Sequence, residues 1–463
     1  MKKVYYLLAI LGSFQFLHSQ SNLCVTDISF KYYTLSIFTS DGKIYTLGQN
    51  PYGQVGNGTT QTQNTPWLRP TTPKFVNIYP SINHAAAVSD DGKIYTWGRN
   101  DRGALGDGTI IDKLTPIQAG SGTDWAKAQG GNAHTIALKN NGTLWGWGNN
   151  SACELTSVEA APYPNNFYKQ PVQLSPDNDW VDIASGGAKT FAIKSNGTLW
   201  GRGRNDKFSL GVPLFGNGTC VVNLTQVGTT ADWKKVSSSV NDFTLAIKTN
   251  NTLWGWGDNI DGAVGHGTSQ LVQTPVQIGT DTWKDVAAGT SYAIGIKSDG
   301  TLWGWGRGCW DTSGTIVVPP NSLSPVQVGT ESNWVKVAAG GCANYALRAD
   351  NTVWAWGGIF NNGVYTTYTT PTLIFQCESL STSENDKELS NLVLYPNPTV
   401  DKISWAQNIP IEKVTIYDMS ARKVLSENVS ESSVNVSHLT KGTYMIRLEK
   451  KDKTFYNSKF VKK

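Results

Sequence analysis

Charged residues are scarce in this sequence: Asp, Glu, Lys and Arg account for 16% of its 463 residues. Glycine and tryptophan are abundant instead, with 47 and 18 copies. This balance is typical of short strands joined by tight turns and unlike that of a helical or disordered chain. The chain is also too long for one ordinary core, so we expect two or more units.

Catalytic motifs are missing as well. The sequence contains no G-x-S-x-G, H-E-x-x-H or P-loop pattern and only five histidines. It has no C-x-x-C motif or Cys–His cluster of the kind that holds zinc. We therefore predict a protein that is not an enzyme, with no catalytic residue, no metal site and no cofactor.

Long apolar runs are absent except near the N terminus. Lys2 and Lys3 precede a largely apolar stretch at 4–17, and three polar residues follow at 18–20. This layout is typical of a secretory signal peptide over residues 1–20, and the stretch is too short to span a membrane. A buried N-terminal strand is the alternative. No transmembrane segment is predicted in the rest of the chain.

The net charge of +4 hides an uneven distribution. Residues 391–463 hold 12 Lys and Arg against 7 Asp and Glu, whereas residues 21–390 hold 25 against 28, a net charge of −3. A mildly acidic region of this size lacks the basic surface that nucleic acids require. We therefore exclude a nucleic-acid partner.

One phrase recurs seven times with a period near 50 residues, which is the signature of a repeat architecture. The copies lie at 44–50, 94–100, 144–150, 199–205, 253–259, 302–308 and 353–359. The second aromatic position of the phrase is occupied by Leu47, Trp97, Trp147, Arg202, Trp256, Trp305 and Trp356. The irregular positions, Arg202 above all, are where we expect the ring to differ from blade to blade.

Each period contains four short strand candidates. The second and third are joined by turns such as Asp41-Gly42 and Asn141-Gly142, which suit a tight hairpin. Four antiparallel strands repeated seven times leave each unit an unburied face, and a radial arrangement buries it. We predict an all-β fold with a seven-bladed β-propeller over residues 21–377. The tryptophans would fill the wedges between blades, with a ligand-binding role as the alternative.

Three motifs resemble the repeat of the regulator of chromosome condensation family. Residues 131–138 match its G-x-x-H-x-x-A-L motif, 97–106 its W-G-x-N-x-x-G-x-L-G motif, and 275–278 its closing P-x-x-I. The resemblance covers about residues 22–377 and implies the seven-bladed fold. It does not imply the nuclear role of the name-giving member, because an exported acidic propeller lacks the location and the basic tail for it. A secreted bacterial relative that inhibits β-lactamases through its loops is a closer physical model.

The histidine of the family motif is not retained along the chain. Its position reads Tyr33, His84, His134, Lys189, Phe243, Tyr292 and Ala343. A catalytic or metal-binding histidine array cannot survive this pattern. We therefore interpret His84 and His134 as structural residues.

The composition changes after residue 377. A polar linker is predicted at 378–390, followed by a small β-sandwich at 391–463. The motifs at 395–399, 414–418 and 441–444 and the basic C-terminal end resemble the type A C-terminal sorting domain of the type IX secretion system of Bacteroidetes. The resemblance implies contact with that machinery and a secreted or outer cell-surface location. A carbohydrate-binding or adhesive β-sandwich is the alternative.

Six cysteines follow the predicted signal peptide, and an even number in an exported chain favours disulfides. From their positions in the repeats we predict the pairs Cys24–Cys377, Cys309–Cys342 and Cys153–Cys220. The first pair would close the ring, because Cys24 opens the first blade and Cys377 follows the last.

A non-catalytic module that binds a protein partner is the function we expect, acting as a monomer. Loops between the third and fourth strands vary most and carry aromatic residues. The candidate ligand-binding residues are Tyr163, Tyr168, Phe208, Phe215, Trp310 and Phe360. Local loop packing is their alternative role. Glycan binding is the second functional candidate, and a propeller glycosidase the third, although no pair of carboxylates is evident.

Overall fold

The computed structural model describes residues 25–156, 166–213, 220–310, 316–317, 321–361, 364–376, 394–405, 411–418, 423–451 and 455–463. Within these ranges every regular element is a strand, so the all-β prediction is confirmed. Two compact units divide the chain, Met1–Glu378 and Ser379–Lys463. No helix in the described ranges is long and apolar enough to cross a membrane.

The first unit contains five four-stranded antiparallel sheets and one seven-stranded sheet. Because one strand of the larger sheet serves two meanders, these sheets divide into seven consecutive meanders of four strands, which we call blades 1 to 7. Blades 1 and 2 contain β1 (Val25–Lys31), β2 (Thr34–Thr39), β3 (Ile44–Gly48), β4 (Gln63–Leu68), β5 (Phe75–Pro80), β6 (His84–Ser89), β7 (Ile94–Gly98) and β8 (Lys113–Gln118). Blades 3 and 4 contain β9 (Trp125–Gly130), β10 (His134–Lys139), β11 (Leu144–Asn149), β12 (Phe167–Gln173), β13 (Trp180–Gly186), β14 (Lys189–Lys194), β15 (Leu199–Arg204) and β16 (Cys220–Gln226).

Blades 5 and 6 share one long strand. They contain β17 (Trp233–Ser238), β18 (Phe243–Lys248), β19 (Thr252–Gly257), β20 (Val272–Ala288), β21 (Tyr292–Lys297), β22 (Leu302–Gly306), β23 (Cys309–Trp310), β24 (Ile316–Val317) and β25 (Ser322–Gln327). The start of β20 pairs with β19 and its end with β21, so it serves as the fourth strand of blade 5 and the first of blade 6. Blade 7 contains β26 (Trp334–Gly340), β27 (Ala343–Arg348), β28 (Val353–Asn361) and β29 (Val364–Phe375).

The first strands of the blades contact one another in a closed order, β1–β5–β9–β13–β17–β20–β26 and back to β1. Every blade is built from a contiguous segment, so within residues 25–376, as far as they are described, the ring closes between blades 7 and 1 without exchanging a strand. The residues at the second aromatic position of the repeated phrase, which we call the second slot, lie in the wedges between blades. Five of them are fully buried tryptophans, and Leu47 and Arg202 are each 3% exposed. The predicted packing role of the repeated phrase is therefore what the structure shows.

A ring of charged residues joins the first strands, and the sequence analysis did not find it. Its members lie two residues after Val25, Phe75, Trp125, Trp180, Trp233, Trp283 and Trp334, and they are Asp27, Asn77, Lys127, Asp182, Lys235, Asp285 and Lys336. Asn77 is the one uncharged member of the ring. In each strand a β-bulge adjoins this position. Bulges re-aim side chains, which explains how a residue of one blade reaches the next. Three ion pairs result: Lys127 with Asp182, Lys235 with Asp285 and Lys336 with Asp27.

Lys31, at the end of β1, connects blade 1 to blades on the other side of the ring through hydrogen bonds. Its ammonium group donates to the carbonyl oxygens of Ser185, at 3.0 Å, and Ser238, at 3.3 Å. These residues lie at the ends of the first strands of blades 4 and 5, so the side chain spans the ring. Burial lowers the pKa of Lys31 to about 8.

The second unit contains β30 (Lys402–Ser404), β31 (Lys413–Asp418), β32 (Lys423–Asn428), β33 (Ser433–Asn435), β34 (Gly442–Glu449) and β35 (Phe455–Lys462). They form a four-stranded sheet, β32–β31–β34–β35, and a two-stranded sheet, β30–β33. A core that includes Trp405, Ile416, Ile446 and Phe460 is buried within this unit.

Candidate functional site

One side of the propeller carries the hairpin turns between second and third strands, and we call it the turn face. In blades 3 to 7 it repeats one cluster, in which a cation lies over two tryptophans. In blade 3, Lys139 lies 4.9 Å from the ring centre of Trp125 and 4.8 Å from that of Trp145. The same cation is ion-paired with Asp124 at 3.0 Å. The cation is a lysine in blades 3 to 6 and Arg348 in blade 7. Because this cluster recurs in five blades, we interpret the turn face as scaffold.

The opposite side, which we call the loop face, carries the first-to-second turns and the third-to-fourth loops. A buried asparagine organises each of the first five loops. In blade 2, Asn100 Oδ1 accepts a hydrogen bond from the backbone NH of Leu105 at 2.9 Å, and Asn100 Nδ2 donates one to Asp107 Oδ1 at 3.1 Å. The equivalent hydrogen bond, from the backbone NH five residues later, is accepted by the side chains of Asn50, Asn150, Asn205 and Asn259. Loops fixed in this way can present side chains with little loss of entropy on binding.

One position of these loops adopts a left-handed backbone. Gly103 occupies it in blade 2 with a φ of 71°, and a side chain there would come within 2.9 Å of the Tyr168 carbonyl of blade 3. Blades 3 and 4 place Cys153 and Phe208 at this position, with φ values of 61° and 54°. A non-glycine residue in this region costs about 1 kcal/mol or more, so each needs a compensating role.

The role of Cys153 is covalent. It forms a disulfide with Cys220 of β16, so the loop of blade 3 is joined to the outer strand of blade 4 where other blades make a glycine contact. This is one of the predicted pairs. Arg202 lies beside it: its Nε donates to the Cys153 carbonyl at 3.1 Å, and it also donates to the Val222 carbonyl. In blade 3, Trp147 Nε1 donates to the carbonyl of Ala104, the residue that corresponds to Glu154. Arg202 therefore still donates to the preceding loop, but to a carbonyl one residue earlier than the tryptophan would.

Glu154 follows Cys153 in the same loop, and burial raises its pKa to about 7. Its carboxylate accepts hydrogen bonds from Asn149 at 2.6 Å and from the amide of Ala152 at 2.8 Å. Gln54 occupies the same position in blade 1, and its Oε1 accepts a hydrogen bond from the backbone NH of Tyr52 at 3.0 Å. Because a glutamine makes the same loop contact, Glu154 is explained as a loop brace rather than an acid catalyst.

The histidine position joins neighbouring blades. His84 Nε2 lies 2.9 Å from Thr135 Oγ1, and His134 Nε2 lies 3.1 Å from Ser185 Oγ. Burial lowers the pKa of His84 to about 4 and that of His134 to about 3, so both are neutral near pH 7. Strand pairing corrects our sequence alignment in blade 1: Thr34 faces Gly48 as His84 faces Gly98. Tyr33 lies in the turn before it and was a wrong assignment.

A polar cavity of about 330 Å³ opens on the loop face between blades 2 and 3. Its lining residues are Asn83, His84, Arg99, Asp101, Arg102, Ala104, Asn132, Ala133, Asn149 and Ser151. The sequence analysis singled out none of these except His84. The signal was present in the R-N-D-R segment at 99–102, which resembles the R-N-D-K segment at 204–207. Among the described residues of the lining Asp101 is the one carboxylate, and it is ion-paired with Arg99 at 2.9 Å.

The candidate ligand-binding residues do not form one cluster. Phe208 is half-buried, and among the described residues its ring makes no aromatic contact. Tyr168 is half-buried and packs against the core clusters on both sides of blade 3, as the packing alternative requires. Tyr163 and Phe215 lie outside the described residues, as do the side chains of Trp310 and Phe360.

The remaining disulfide predictions stay open. Cys342 is disulfide-bonded, but the side chain of Cys309 lies outside the described residues. Both Cys24 and Cys377 also lie outside them. No cluster of three or more potential metal ligands occurs in the described ranges.

Seven four-stranded meanders around a closed ring define this protein as a β-propeller. Residues 14–316 match the model of the RCC1-like domain, and the chain belongs to that family. Residues 393–463 match the secretion system C-terminal sorting domain. The protein is therefore an RCC1-like propeller with a type IX sorting domain, which indicates export and a secreted or cell-surface location.

Solved structures agree on the fold. Prp20p from Saccharomyces cerevisiae is 18% identical and superposes with a TM-score of 0.60, covering 68% of this chain and 80% of that protein. Human WBSCR16 is 17% identical with a TM-score of 0.62, covering 72% of this chain and 94% of its own. At these identities the likeness extends to the fold alone.

A curated relative is similar over a short segment. The ulvan lyase NLR42 of Nonlabens ulvanivorans is 31% identical over 88 residues, which is 18% of this chain. This chain thus spans 16% of the length of that relative.

Proposed function

We propose that this protein is an exported, non-catalytic binding module that docks a protein partner on the loop face of blade 4. The observation that carries the proposal is the backbone of Phe208. An aromatic residue stands in the left-handed position that glycine fills in blades 1, 2 and 5. Strain of this kind is retained where a side chain has a use, and partly exposed aromatic residues are frequent at the centres of protein interfaces.

The surroundings of Phe208 support a fixed binding surface. Its amide donates to the Asn205 carbonyl at 2.9 Å, and its carbonyl accepts from Gly211 at 2.9 Å. On the neighbouring blade the Cys153–Cys220 disulfide joins the preceding loop to the outer strand of blade 4. A surface that is held in shape before binding loses less conformational entropy when the partner docks.

The described residues favour binding over catalysis. Glycoside hydrolysis uses two carboxylates facing the bond that breaks. Of the described residues that line the cavity, Asp101 is the only one with a carboxylate, and Arg99 is ion-paired with it. Glu154 is 1% exposed and both of its oxygens accept hydrogen bonds from its own loop. We attribute the similarity to the ulvan lyase to the sorting domain, since 88 residues is close to the length of the unit Ser379–Lys463.

A capture experiment with the full chain tests this proposal. The matched variant is Phe208→Gly, because glycine suits the left-handed backbone and removes only the ring. We expect the wild-type chain to retain an envelope protein that the variant loses, with the two unfolding free energies within about 1 kcal/mol. Equal capture by both chains would contradict the role of Phe208, and turnover of a chromogenic glycoside would contradict the non-catalytic assignment.

Glycan binding is the second candidate, and the polar cavity between blades 2 and 3 favours it. Amide, hydroxyl and guanidinium groups line this cavity, and they suit a ligand rich in hydroxyl groups. A glycan array probed with the full chain would test it, and the Phe208→Gly variant should bind glycans as the wild type does.

A further inference from the structure

The cavity between blades 2 and 3 combines small size with polar walls. Its volume of about 330 Å³ is at the lower end of the range for small-ligand sites, about 300–1,000 Å³. Ala104 and Ala133 are the apolar residues in the lining. The centre of a protein interface is usually apolar and aromatic, so these walls fit a sugar better than a protein side-chain anchor.

The charges in the lining favour an anion. In the described part of the lining, Arg99 and Arg102 carry two positive charges against one negative charge on Asp101. His84 adds none near pH 7, because burial holds its pKa far below the usual value. The Arg99 guanidinium lies 4.8 Å from the ring centre of Tyr52, which fixes its plane from the side of blade 1. Guanidinium groups bind carboxylates through paired hydrogen bonds.

Uncommitted amides accompany these charges. Among the described residues, the side chains of Asn83 and Asn132 make no hydrogen bond, although both line the cavity. Asn149 is held in place, since its Nδ2 donates to Ser151 at 2.8 Å and to Glu154 at 2.6 Å. An asparagine amide offers both donors and an acceptor, which is what a sugar hydroxyl pair requires.

We propose that this cavity binds a uronic-acid residue of an acidic glycan. The carboxylate would be held by Arg102 and Arg99, and ring hydroxyls by Asn83 and Asn132. The proposal rests on the glycan-binding candidate above and adds the charge of the ligand and the residues that recognise it. Binding is non-covalent and involves no bond cleavage.

Blade 4 provides an internal control. Arg204 and Asp206 form the same ion pair there, at 2.8 Å, as Arg99 and Asp101 do in blade 2. Lys207 then occupies the position of Arg102 in the segment. Lys207 is exposed and does not line the cavity. Removing its charge changes the net charge of the chain by the same amount as removing that of Arg102, without altering the cavity.

The test is calorimetric titration of the full chain with four probes. These are a tetrasaccharide containing glucuronic acid, one containing galacturonic acid, a neutral N-acetylglucosamine tetrasaccharide and a pentaglutamate peptide. We expect at least one acidic tetrasaccharide to bind and the neutral one to bind at least about tenfold more weakly. Arg102→Gln should weaken acidic-glycan binding at least about tenfold, Arg102→Lys should lose less, and Lys207→Gln should match the wild type.

Each contrary outcome has a distinct meaning. Equal binding of neutral and acidic tetrasaccharides would overturn the uronate assignment and leave the glycan candidate standing. Binding of pentaglutamate alone would assign the cavity to an acidic peptide and overturn the proposal. Failure of every probe would overturn the proposal and the glycan candidate together, while leaving the protein-binding function of blade 4 untouched. An equal loss in Arg102→Gln and Lys207→Gln would show a general charge effect and overturn the assigned site. Thermal unfolding of each variant separates lost binding from lost folding.

Discussion

Two wedges of the ring lack the second-slot tryptophan, and they are built differently. Between blades 7 and 1 the position holds Leu47, and between blades 3 and 4 it holds Arg202. In four of the other five wedges the tryptophan both fills space and donates its indole NH to the preceding loop. Trp356 fills the fifth, and its indole NH has no hydrogen-bond partner among the described residues. The two exceptions separate these two roles.

In the wedge between blades 7 and 1, Leu47 retains an apolar side chain but lacks the NH donor of a tryptophan. Leu47 packs in a cluster with residues of both blades. The rings of Phe30 and Tyr345 lie 4.5 Å apart, and those of Tyr45 and Phe375 lie 5.5 Å apart. Aromatic burial therefore closes the ring here.

In the wedge between blades 3 and 4, Arg202 retains an NH donor but provides less apolar volume than a tryptophan. Arg202 hydrogen-bonds to Cys153, and burial lowers the pKa of its guanidinium to about 10, within the range where it stays charged at neutral pH. The disulfide adds a covalent link beside it. A propeller wedge can therefore be held by apolar packing or by polar and covalent contacts.

The largest expected effect is at the closing wedge. Phe30→Ala should lower the free energy of unfolding by about 3–5 kcal/mol, because a buried ring is lost where no strand exchange holds the blades together. Phe30→Leu, which keeps most of the volume, should cost less than about 1.5 kcal/mol. Denaturant unfolding monitored by tryptophan fluorescence measures both. A loss below about 1 kcal/mol for the alanine variant would show that other contacts close the ring.

Removing the disulfide should have the next largest effect. The double variant Cys153→Gly with Cys220→Val restores glycine to its usual loop position and opens a loop with a sequence separation of 67 residues. We expect a loss of about 2–4 kcal/mol in the free energy of unfolding. Relief of the left-handed backbone offsets part of this loss. Stability equal to the wild type would show that Arg202 and its neighbours hold this wedge alone.

The smallest effect depends on pH and concerns Glu154. Its pKa rises from 4.5 in the unfolded chain to about 7 in the folded one, since burial disfavours the carboxylate. Below pH 4.5 it is protonated in both states and contributes nothing. Above that pH the unfolded state releases its proton first, so stability falls as pH rises toward 7, by up to about 3 kcal/mol.

Glu154→Gln should remove that fall, and its advantage over the wild type should grow between pH 5 and 7. Gln54→Glu, at the same position of blade 1, is the matched control and should introduce a fall of the same sign. Thermal unfolding across this pH range is the measurement. A difference between Glu154→Gln and the wild type that does not change with pH would contradict the raised pKa.

The repeats made most of the fold predictable. A period of 50 residues and turns such as Asp41-Gly42 dictate the four-stranded blades, because these signals are local in sequence. Arg202 was recognised as irregular, but its hydrogen bond to Cys153 depends on how adjacent blades pack. The inner charge ring was missed for the same reason, since Lys127 and Asp182 become neighbours only after both blades form.

The candidate sites were less predictable than the fold. Phe208 was selected as a loop aromatic, but its left-handed backbone emerges only when it is aligned with Gly103 in space. Arg102 was passed over because charged loop residues are common and usually solvated. Its place in a cavity follows from the meeting of loops from blades 2 and 3, which no single repeat encodes.

The ring of charged residues that joins the first strands has an odd number of positions, and this limits how its charges can pair. Seven positions cannot alternate between two signs, and the position left over is the neutral Asn77 of blade 2. The ion pairs couple blade 3 to 4, 5 to 6 and 7 to 1, so the two ends of the propeller chain lie within a coupled pair. The electrostatic seam of the ring is therefore blade 2, one blade away from the covalent seam between blades 7 and 1. An eighth blade could complete the alternation, whereas an odd ring must always leave one blade uncoupled.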